Sequence, residues 1–360
     1  MARARAVKAL YAVLVTWLLT APAPAPPAPP APPASAEATR ADRADRVPRA
    51  ERGPSPQPAP SRPGGAEPDM ASAPSPASVP TPAVTPVPRR PGVRGLEIAV
   101  PAYVWADDPV LARLAATGPA PSVVVLNPGN GDAPFDASWR ARADALRAGT
   151  TATGEKTKVL GYVHTDHGSR DPAAVKASVD NYLKPSGNGD GRLHVDGIFF
   201  DVVSRDCGPG NATRDHYAAL RRYVQDTMHA ADPGAAELVV DNPGTAIADC
   251  YLEPGHRTAD VFVTFEDTYA AYTSGGRHGG NVFDPLGGYR AGAELDPSGT
   301  AFWHLVHDVP DAAAMRTTLR TAFERGAGYA YATSAVMPNP WNAAPEWAYG
   351  LQTGYAATLG

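Results

Sequence analysis

The sequence predicts a closed (β/α)8 barrel preceded by a disordered Pro/Ala-rich segment, and two observations carry this prediction. The chain has 360 residues and 40 prolines, and counting along it places 22 of those prolines between residues 21 and 93. From Arg94 onward, eight short runs rich in Val, Ile, Phe and Tyr alternate with Ala/Arg-rich stretches of helical period. Eight strands with helical crossovers in roughly 270 residues is the count of such a barrel. We therefore expect one barrel domain over residues 94–360.

Residues 1–20 have the layout of a secretory signal peptide. The basic residues Arg3, Arg5 and Lys8 precede an apolar run over residues 9–19. This run is shorter than the roughly 20 residues that a membrane-spanning helix needs. Alternating Ala and Pro residues follow and hide the cleavage site, so an uncleaved membrane anchor is the alternative. We expect a protein that is secreted into the extracellular space, or tethered at the cell surface by that anchor.

Residues 21–93 are almost one-third proline, padded with Ala, Ser and Arg. Such a segment buries too little apolar surface to offset the entropy that it would lose on ordering. We expect a disordered linker with polyproline II character, which can hold the barrel away from a cell surface.

The charge balance excludes one class of partner. The chain has 32 Lys and Arg against 37 Asp and Glu, a formal net charge of -5 and a pI of about 6.0, with no basic stripe. Nucleic acid is therefore not expected as a partner. We expect a monomer that needs no cofactor, and that meets a membrane only through an uncleaved N-terminal anchor.

Most of the strand candidates are continuous apolar runs, as a parallel sheet buried on both faces requires. A doubly wound open sheet is the alternative, which is disfavoured because no Gly-x-Gly-x-x-Gly turn follows the first strand. The predicted strands cover residues 96–103, 122–127, 158–164, 195–201, 237–242, 260–266, 301–306 and 328–333.

Five helices are predicted between these strands. Asp171 followed by Pro172 has the pattern of an N-cap with proline at the first helical position. Asp308 or Pro310 is expected to open the last of the five in a similar way. The predicted helices cover residues 109–117, 136–148, 172–183, 214–231 and 310–325.

The chain has two cysteines, Cys207 and Cys250. They follow the fourth and fifth predicted strands, which are neighbours in a barrel, so both belong to adjacent loops at one rim. In an exported protein such a pair favours a disulfide. The alternative is a pair of buried, reduced thiols.

In a barrel of this kind, residues at the carboxyl ends of the strands carry the chemistry. Asp201 ends the fourth predicted strand and Glu266 ends the sixth, where an ionised side chain after an apolar run is otherwise costly. Two carboxylates that flank a glycosidic bond hydrolyse it through an oxocarbenium-like transition state. The structural alternative is that each carboxylate caps a helix or pairs with an arginine. We expect Asp201 and Glu266 to be catalytic.

Aromatic and polar residues at the same strand ends suit a sugar, because rings stack on sugar C–H faces and polar groups bind hydroxyls. The alternatives are that the aromatic residues, including Trp303, belong to the core and that the asparagines form Asx turns. The spacing of His164, Asp166 and His167 resembles a metal site, but on a strand His167 points away from the other two, so no metal is expected. The candidate substrate-binding residues are Tyr103, Trp105, Asn127, Tyr162, His164, Asp166, Asn242 and His304.

Five motifs occur in order along the second part of the chain: GYVHT at 161–165, DGIFFD at 196–201, NPGT at 242–245, DVFVTFE at 260–266 and MPNPW at 337–341. Together they resemble the spherulin-4-like proteins, glycoside hydrolase family 135. The resemblance implies a (β/α)8 fold and endo-acting hydrolysis of α-1,4-linked N-acetylgalactosamine polymers such as galactosaminogalactan. It carries the family's catalytic carboxylates over to Asp201 and Glu266, and gives His164 and Asp166 a sugar-facing role at most.

One position departs from the family pattern, because Val202 stands where the family commonly has a second carboxylate after the aspartate. Glu266 follows an apolar run that raises a carboxyl pKa, so we expect it to be the acid/base and Asp201 to be the ionised nucleophile or base. The reverse assignment and both stereochemical outcomes stay open.

We therefore predict a secreted endo-glycosidase that hydrolyses an amino-sugar-rich polysaccharide. One alternative is a catalytically inactive carbohydrate-binding surface protein, for which Val202 is the main argument. The other is a metal-dependent polysaccharide hydrolase or deacetylase that uses the histidines.

Overall fold

Eight parallel strands close into a barrel in which each strand pairs with the next and the eighth pairs with the first. This architecture confirms the predicted (β/α)8 fold. The predicted signal peptide and linker lie outside the described residues, so the domain boundaries remain predictions. The computed structural model describes residues 95–184, 191–253, 255–274 and 301–360.

Every strand begins and ends within two residues of its predicted range, because continuous apolar runs mark strands that are covered on both faces. The strands are β1 (Glu97–Ala102), β2 (Val123–Leu126), β3 (Lys158–His164), β4 (Gly197–Asp201), β5 (Leu238–Asn242), β6 (Val261–Thr268), β7 (Ala301–His307) and β8 (Tyr329–Ala332).

Helices cover the outside of the barrel, and two of those in the described residues, α5 and α7, escape prediction. Helix α5 is only five residues long, too short for a helical period to show. Helix α7 contains Gly350, and glycine disfavours helix, so the sequence does not predict it. Close packing explains the glycine, because an added Cβ would lie 3.1 Å from the carbonyl oxygen of Gly118. The helices are α1 (Pro109–Ala115), α2 (Ala137–Arg147), α3 (Pro172–Leu183), α4 (Ala212–Ala231), α5 (Tyr269–Thr273), α6 (Ala312–Glu324) and α7 (Tyr349–Ala356).

The helix caps confirm one prediction and correct another. Asp171 caps α3, and its carboxylate accepts hydrogen bonds from the first-turn amides, as predicted. The prediction that Asp308 or Pro310 opens α6 is wrong, because the N-cap is Asp311. Asp308 adopts a left-handed φ of 55° that belongs to the preceding turn, whereas Asp311 is extended and reaches the free amides.

Aromatic side chains from β3, β4 and β7 pack against one another inside the barrel. Phe199 stacks on Tyr162 at a centroid distance of 6.2 Å and meets the edge of Trp303 at 5.6 Å. Trp303 therefore belongs to the core, the alternative considered for it above. Gly161 faces outward, where an added Cβ would lie 2.5 Å from the ring of Tyr182, so glycine lets α3 press against β3. This packing holds β3 in the register that directs Tyr162 inward.

A disulfide joins Cys207 and Cys250, as predicted, and no other cysteine exists in the chain. It links the loop between β4 and α4 to the short 3₁₀ helix Asp249–Leu252 that follows β5. The carbonyl of Cys207 also accepts a hydrogen bond from the amide of Thr213 at the start of α4. The bridge therefore fixes two loops that leave the carboxyl ends of adjacent strands.

Within the part of the chain that the structure describes, no helix combines the length and the apolar character needed to cross a membrane.

The double variant Cys207→Ser/Cys250→Ser is expected to lose about 2–4 kcal/mol of unfolding free energy, because its unfolded chain regains the freedom of the closed loop. That loop spans 43 residues. Guanidinium unfolding followed by circular dichroism measures the loss, and the wild-type chain unfolded with a reductant serves as the matched control. Equal stability of variant and wild type, or two free thiols in the unreduced protein by mass spectrometry, would contradict the prediction.

Candidate active site

Polar side chains gather inside the barrel at the carboxyl ends of β3 to β6. In the strand register, His164 pairs with Asp201, and Asp201 pairs with Asn242. Residues paired across parallel strands point to the same face, so these three side chains share one layer at the mouth of the barrel. The layer beneath them holds the aromatic ring of Phe199, the inward-facing neighbour of Asp201 two positions back.

Glu266 joins this layer only because β6 contains a β-bulge. The register between β6 and β7 shifts between Val263 and Phe265, which leaves Thr264 as the extra residue. Val263 faces the interior, whereas Phe265 packs on Tyr272 of α5, with ring centroids 4.7 Å apart on the helix side. The next residue, Glu266, therefore points back into the barrel. Strict alternation from Val263 would send it outward, so the bulge aims this carboxyl at the mouth.

One amide group bridges the two carboxyl groups. The Nδ2 of Asn242 donates to the Oδ1 of Asp201 at 2.7 Å and to the Oε2 of Glu266 at 2.9 Å. The Oδ1 of Asn242 accepts a hydrogen bond of 2.8 Å from the backbone amide of Gly244. Because that amide needs an acceptor and the carboxyl groups need donors, the orientation of the Asn242 side chain is fixed.

The other two carboxyl oxygens have donors of their own. The hydroxyl of Tyr162 donates to the Oδ2 of Asp201 at 2.6 Å, and the indole Nε1 of Trp341 donates to the Oε1 of Glu266 at 2.9 Å. Each of the four oxygens thus accepts a hydrogen bond, as buried carboxyl groups require. The Oδ1 of Asp201 and the Oε2 of Glu266 lie at most 5.6 Å apart, because bonds of 2.7 and 2.9 Å meet at one nitrogen.

Burial raises the pKa values of both carboxyl groups, and the charge of Asp201 raises that of Glu266 further. Burial raises the pKa of Asp201, and hydrogen bonds from Tyr162, the backbone of Val202 and Asn242 oppose that rise. Burial and then the negative charge of Asp201 raise the pKa of Glu266 to about 7, against hydrogen bonds from Asn242 and Trp341. Glu266 has fewer opposing donors, so it is the group that holds a proton near neutral pH.

The backbone turns sharply after Asp201. Val202 has a left-handed φ of 54°, a strained conformation for a β-branched residue. Its carbonyl accepts hydrogen bonds from the amide of His167 at 2.6 Å and from the hydroxyl of Thr165 at 2.9 Å. Strain of this kind persists where surrounding contacts impose it, and it is frequent at functional sites.

The predicted substrate-binding residues fall into different surroundings. The ring of Tyr103 meets the edge of Tyr162 at 5.2 Å, which places it beside the carboxyl pair. Trp105 follows on the same rim and is 74 % exposed. His164 lies in the layer of Asp201, and its charge lowers the pKa of that carboxyl. Their roles in binding a substrate remain predictions.

The two asparagines and Asp166 hold loops in shape. Asn127 accepts a hydrogen bond of 2.8 Å from the amide of Asn130, which is the Asx turn considered as the alternative. Asp166 has a left-handed φ of 51° and accepts a hydrogen bond from the hydroxyl of Ser169. Asn242 has two roles. Its Oδ1 accepts from the amide of Gly244 and forms an Asx turn, and its Nδ2 bridges the two carboxyl groups.

The structure places His304 away from this layer. It pairs in register with Phe265 on the helix side of β7, is 1 % exposed, and its Nδ1 lies 2.7 Å from the hydroxyl of Tyr272. Burial lowers its pKa to about 3, so the ring is neutral. This position does not favour contact with a substrate at the mouth. The sequence alone does not give the register of β7, so it does not show that His304 faces outward.

Trp341 is the residue of the site that the sequence did not assign, although it ends the MPNPW motif. It lies in the segment after β8, far along the chain from Glu266, and only the closure of the barrel brings the two together. Among residues 95–184, 191–253, 255–274 and 301–360, no group of three or more His, Cys, Asp or Glu side chains is placed to share a metal ion.

Comparison with solved structures finds a protein with a similar fold. The crystal structure of Aspergillus clavatus Sph3 in complex with GalNAc is 23 % identical in sequence with a TM-score of 0.55, and the match covers 73 % of this chain and 99 % of that one. At this identity the likeness shows the fold alone. A search of curated protein sequences found no significant match.

Two further solved structures are less similar. A family 5 xyloglucanase from Paenibacillus pabuli is 11 % identical with a TM-score of 0.40, covering 73 % of this chain and 97 % of that one. The endo-beta-1,4-mannanase from Thermotoga petrophila is 11 % identical with a TM-score of 0.41, covering 74 % and 76 %. Neither likeness carries an argument about function.

The model of the spherulation-specific family 4, Spherulin4, matches residues 97–351. This range includes all eight strands. It also includes the two carboxyl groups and the residues that donate to them, which are Tyr162, Asp201, Asn242, Glu266 and Trp341. The match confirms the resemblance that the five motifs carry. Since it spans well over half of the sequence, the chain belongs to the spherulation-specific family 4.

Proposed function

We propose that this protein is a secreted endo-glycosidase that hydrolyses an amino-sugar-rich polysaccharide with Asp201 and Glu266 as its catalytic pair. The observation that carries the proposal is the bridge that Asn242 makes between the two buried carboxyl groups. Burying two acids is costly, and structural ion pairing does not explain it because Tyr162, Asn242 and Trp341, which donate to their oxygens, are neutral. A pair with raised and unequal proton affinity is what glycoside hydrolysis uses.

We assign different roles to the two residues. Glu266, protonated near neutral pH, gives its proton to the glycosidic oxygen as that bond to the anomeric carbon breaks. Asp201, ionised and held by Tyr162 and Asn242, forms a bond to the anomeric carbon. Glu266 then removes a proton from water, the water oxygen attacks the same carbon, and Asp201 leaves as a carboxylate.

The spacing of the carboxyl groups supports this two-step, retaining course. Retaining glycosidases hold their carboxyl groups about 5–5.5 Å apart, whereas inverting enzymes need about 6.5–9.5 Å to admit a water. The Oδ1 of Asp201 and the Oε2 of Glu266 lie at most 5.6 Å apart, so these two facing oxygens are closer than the inverting range.

The substrate class rests on family membership and on the neighbour's ligand. Aspergillus clavatus Sph3 was crystallised in complex with GalNAc, and its barrel resembles this one. The five motifs resemble a family that hydrolyses α-1,4-linked N-acetylgalactosamine polymers. We therefore propose such a polymer as the substrate, with the aromatic residues Tyr103 and Trp105 along its path.

An inactive carbohydrate-binding protein is the second candidate, and Val202 is the observation that favours it. The family commonly has a carboxylate at this position, whereas this chain has a valine in a strained backbone conformation. The intact network around the other two carboxyl groups favours catalysis instead. Release of new reducing ends from an α-1,4-GalNAc oligomer separates the two candidates.

Export through residues 1–20 is part of the proposal. A culture that expresses the full chain should hold the protein in the medium or at the cell surface, because the basic and apolar segments have the layout of a signal. Cell fractionation measures this, with a chain lacking residues 2–20 as the control that stays inside. Full-length protein found only in the cytosol would contradict it.

Asp201→Asn and Glu266→Gln should each lower kcat by at least about 100-fold on an α-1,4-GalNAc oligomer, because each removes a group that transfers a proton or bonds to carbon. Asp241→Asn is the matched control, since this buried strand-end carboxyl faces Thr258 on the helix side. It should keep wild-type activity. If both catalytic variants stay active, the assignment fails.

The pH profile of kcat/KM should be a narrow bell. Activity falls on the alkaline side, with a midpoint near pH 7, as Glu266 loses its proton. It falls on the acid side as Asp201 gains one, at a pH above the usual aspartate range because burial raises its pKa. Initial rates across pH test this, and a flat profile from pH 5 to 9 would contradict the assigned roles.

A further inference from the structure

Trp341 is held rigidly at the mouth of the barrel. Its backbone amide donates to the side chain of Asn339 at 3.1 Å, and its carbonyl accepts from the amide of Tyr103 at 2.9 Å. The indole ring is 5 % exposed. It packs on Tyr331 at 6.0 Å and on the edge of His307 at 6.2 Å. Both main chain and ring are thus fixed before any substrate arrives.

This rigid ring presents its single polar atom to the catalytic pair. The Nε1 of Trp341 donates to the Oε1 of Glu266 at 2.9 Å, while Asn242 holds the Oε2. An indole N–H is a donor only, so it can neither accept a proton from Glu266 nor reverse the direction of the bond. Because Trp341 and Asn242 each donate to a different oxygen of Glu266, the plane of its carboxyl group is held in one orientation.

Other buried tryptophans show that this contact is not a general need of the core. The Nε1 atoms of Trp303 and Trp347 are buried with no hydrogen-bond partner among the described residues. Trp347 lies in the same segment after β8 and is 8 % exposed, close to the burial of Trp341. The fold therefore tolerates an unpaired indole nearby, yet Trp341 is paired with the catalytic acid.

We propose that Trp341 is the positioning residue of Glu266, which it holds in the orientation for proton transfer through the indole N–H. This inference rests on the proposed function for its catalytic meaning, but the contact itself can be tested without a substrate. Trp341 is the last residue of the family motif MPNPW. The proposal therefore assigns a role to that motif.

The same bond affects how readily Glu266 gives up its proton. Burial and the charge of Asp201 raise the pKa of Glu266, and donation from Trp341 lowers it. Loss of the indole N–H should therefore raise that pKa further. Among the described residues, the other titratable groups that face the pair or the ring are Tyr103, Tyr162, His164, His307 and Tyr331, with Asp267 and Asp308 beside His307.

An NMR titration of the full chain labelled with ¹⁵N-tryptophan tests the contact. The indole resonance that disappears in Trp341→Phe identifies the residue, and it should titrate with a midpoint near pH 7, together with Glu266. In Glu266→Gln that titration should vanish. In Trp347→Phe and His307→Gln it should persist. A resonance that does not titrate, or that titrates unchanged in Glu266→Gln, would overturn the inference.

Kinetics test the positioning role on a substrate that the wild-type protein hydrolyses. Trp341→Phe should lower kcat about 10- to 100-fold, the effect of a misplaced catalytic group, with KM nearly unchanged. Its alkaline limb should move to higher pH. Trp347→Phe, the matched control, should keep the wild-type profile. An unmoved limb in Trp341→Phe, or equal losses in both variants, would overturn the inference. A wild-type chain that hydrolyses nothing contradicts the proposed function, and the NMR titration then decides the contact alone.

Discussion

Two carboxyl groups share the mouth of the barrel with few charges to compensate them, and the local geometry of four strand ends is arranged around this pair. Asp201 and Glu266 are both buried, and repulsion between them makes double ionisation unfavourable. The amide of Asn242 stabilises the arrangement because one nitrogen donates to both groups. The outcome is a pair in which one member carries a proton near neutral pH and the other does not, which is the asymmetry that acid–base chemistry needs.

Several unusual local features follow from placing that pair. The bulge at Thr264 turns Glu266 inward, and the left-handed backbone of Val202 turns the chain away directly after Asp201. The segment after β8 returns across the barrel so that Trp341 reaches Glu266. The Cys207–Cys250 bridge fixes the loops behind Asp201 and Asn242. Each feature is local and lies in a strand end or loop close in sequence to Asp201, Asn242 or Glu266, or contacts Glu266 directly.

The barrel can be predicted from the sequence, because apolar runs and helical periods indicate which faces of the strands and helices are buried. The sequence also indicates both carboxylates, since each ends a predicted strand. It does not predict that Glu266 faces inward, because alternation along β6 gives the opposite direction unless the bulge is known. The same dependence on register hides the outward side chain of His304, and the role of Trp341 requires a contact between segments distant in sequence.

The roles of the pair follow from the proton that Glu266 holds near neutral pH. The most direct measurement is a ¹³C NMR titration of the side-chain carboxyl of Glu266, with Glu266→Gln used to assign its resonance. We predict a midpoint near pH 7 that moves to lower pH in Asp201→Asn, because the neighbouring negative charge is gone. A midpoint at the ordinary glutamate value of 4.5, unchanged in Asp201→Asn, would contradict it.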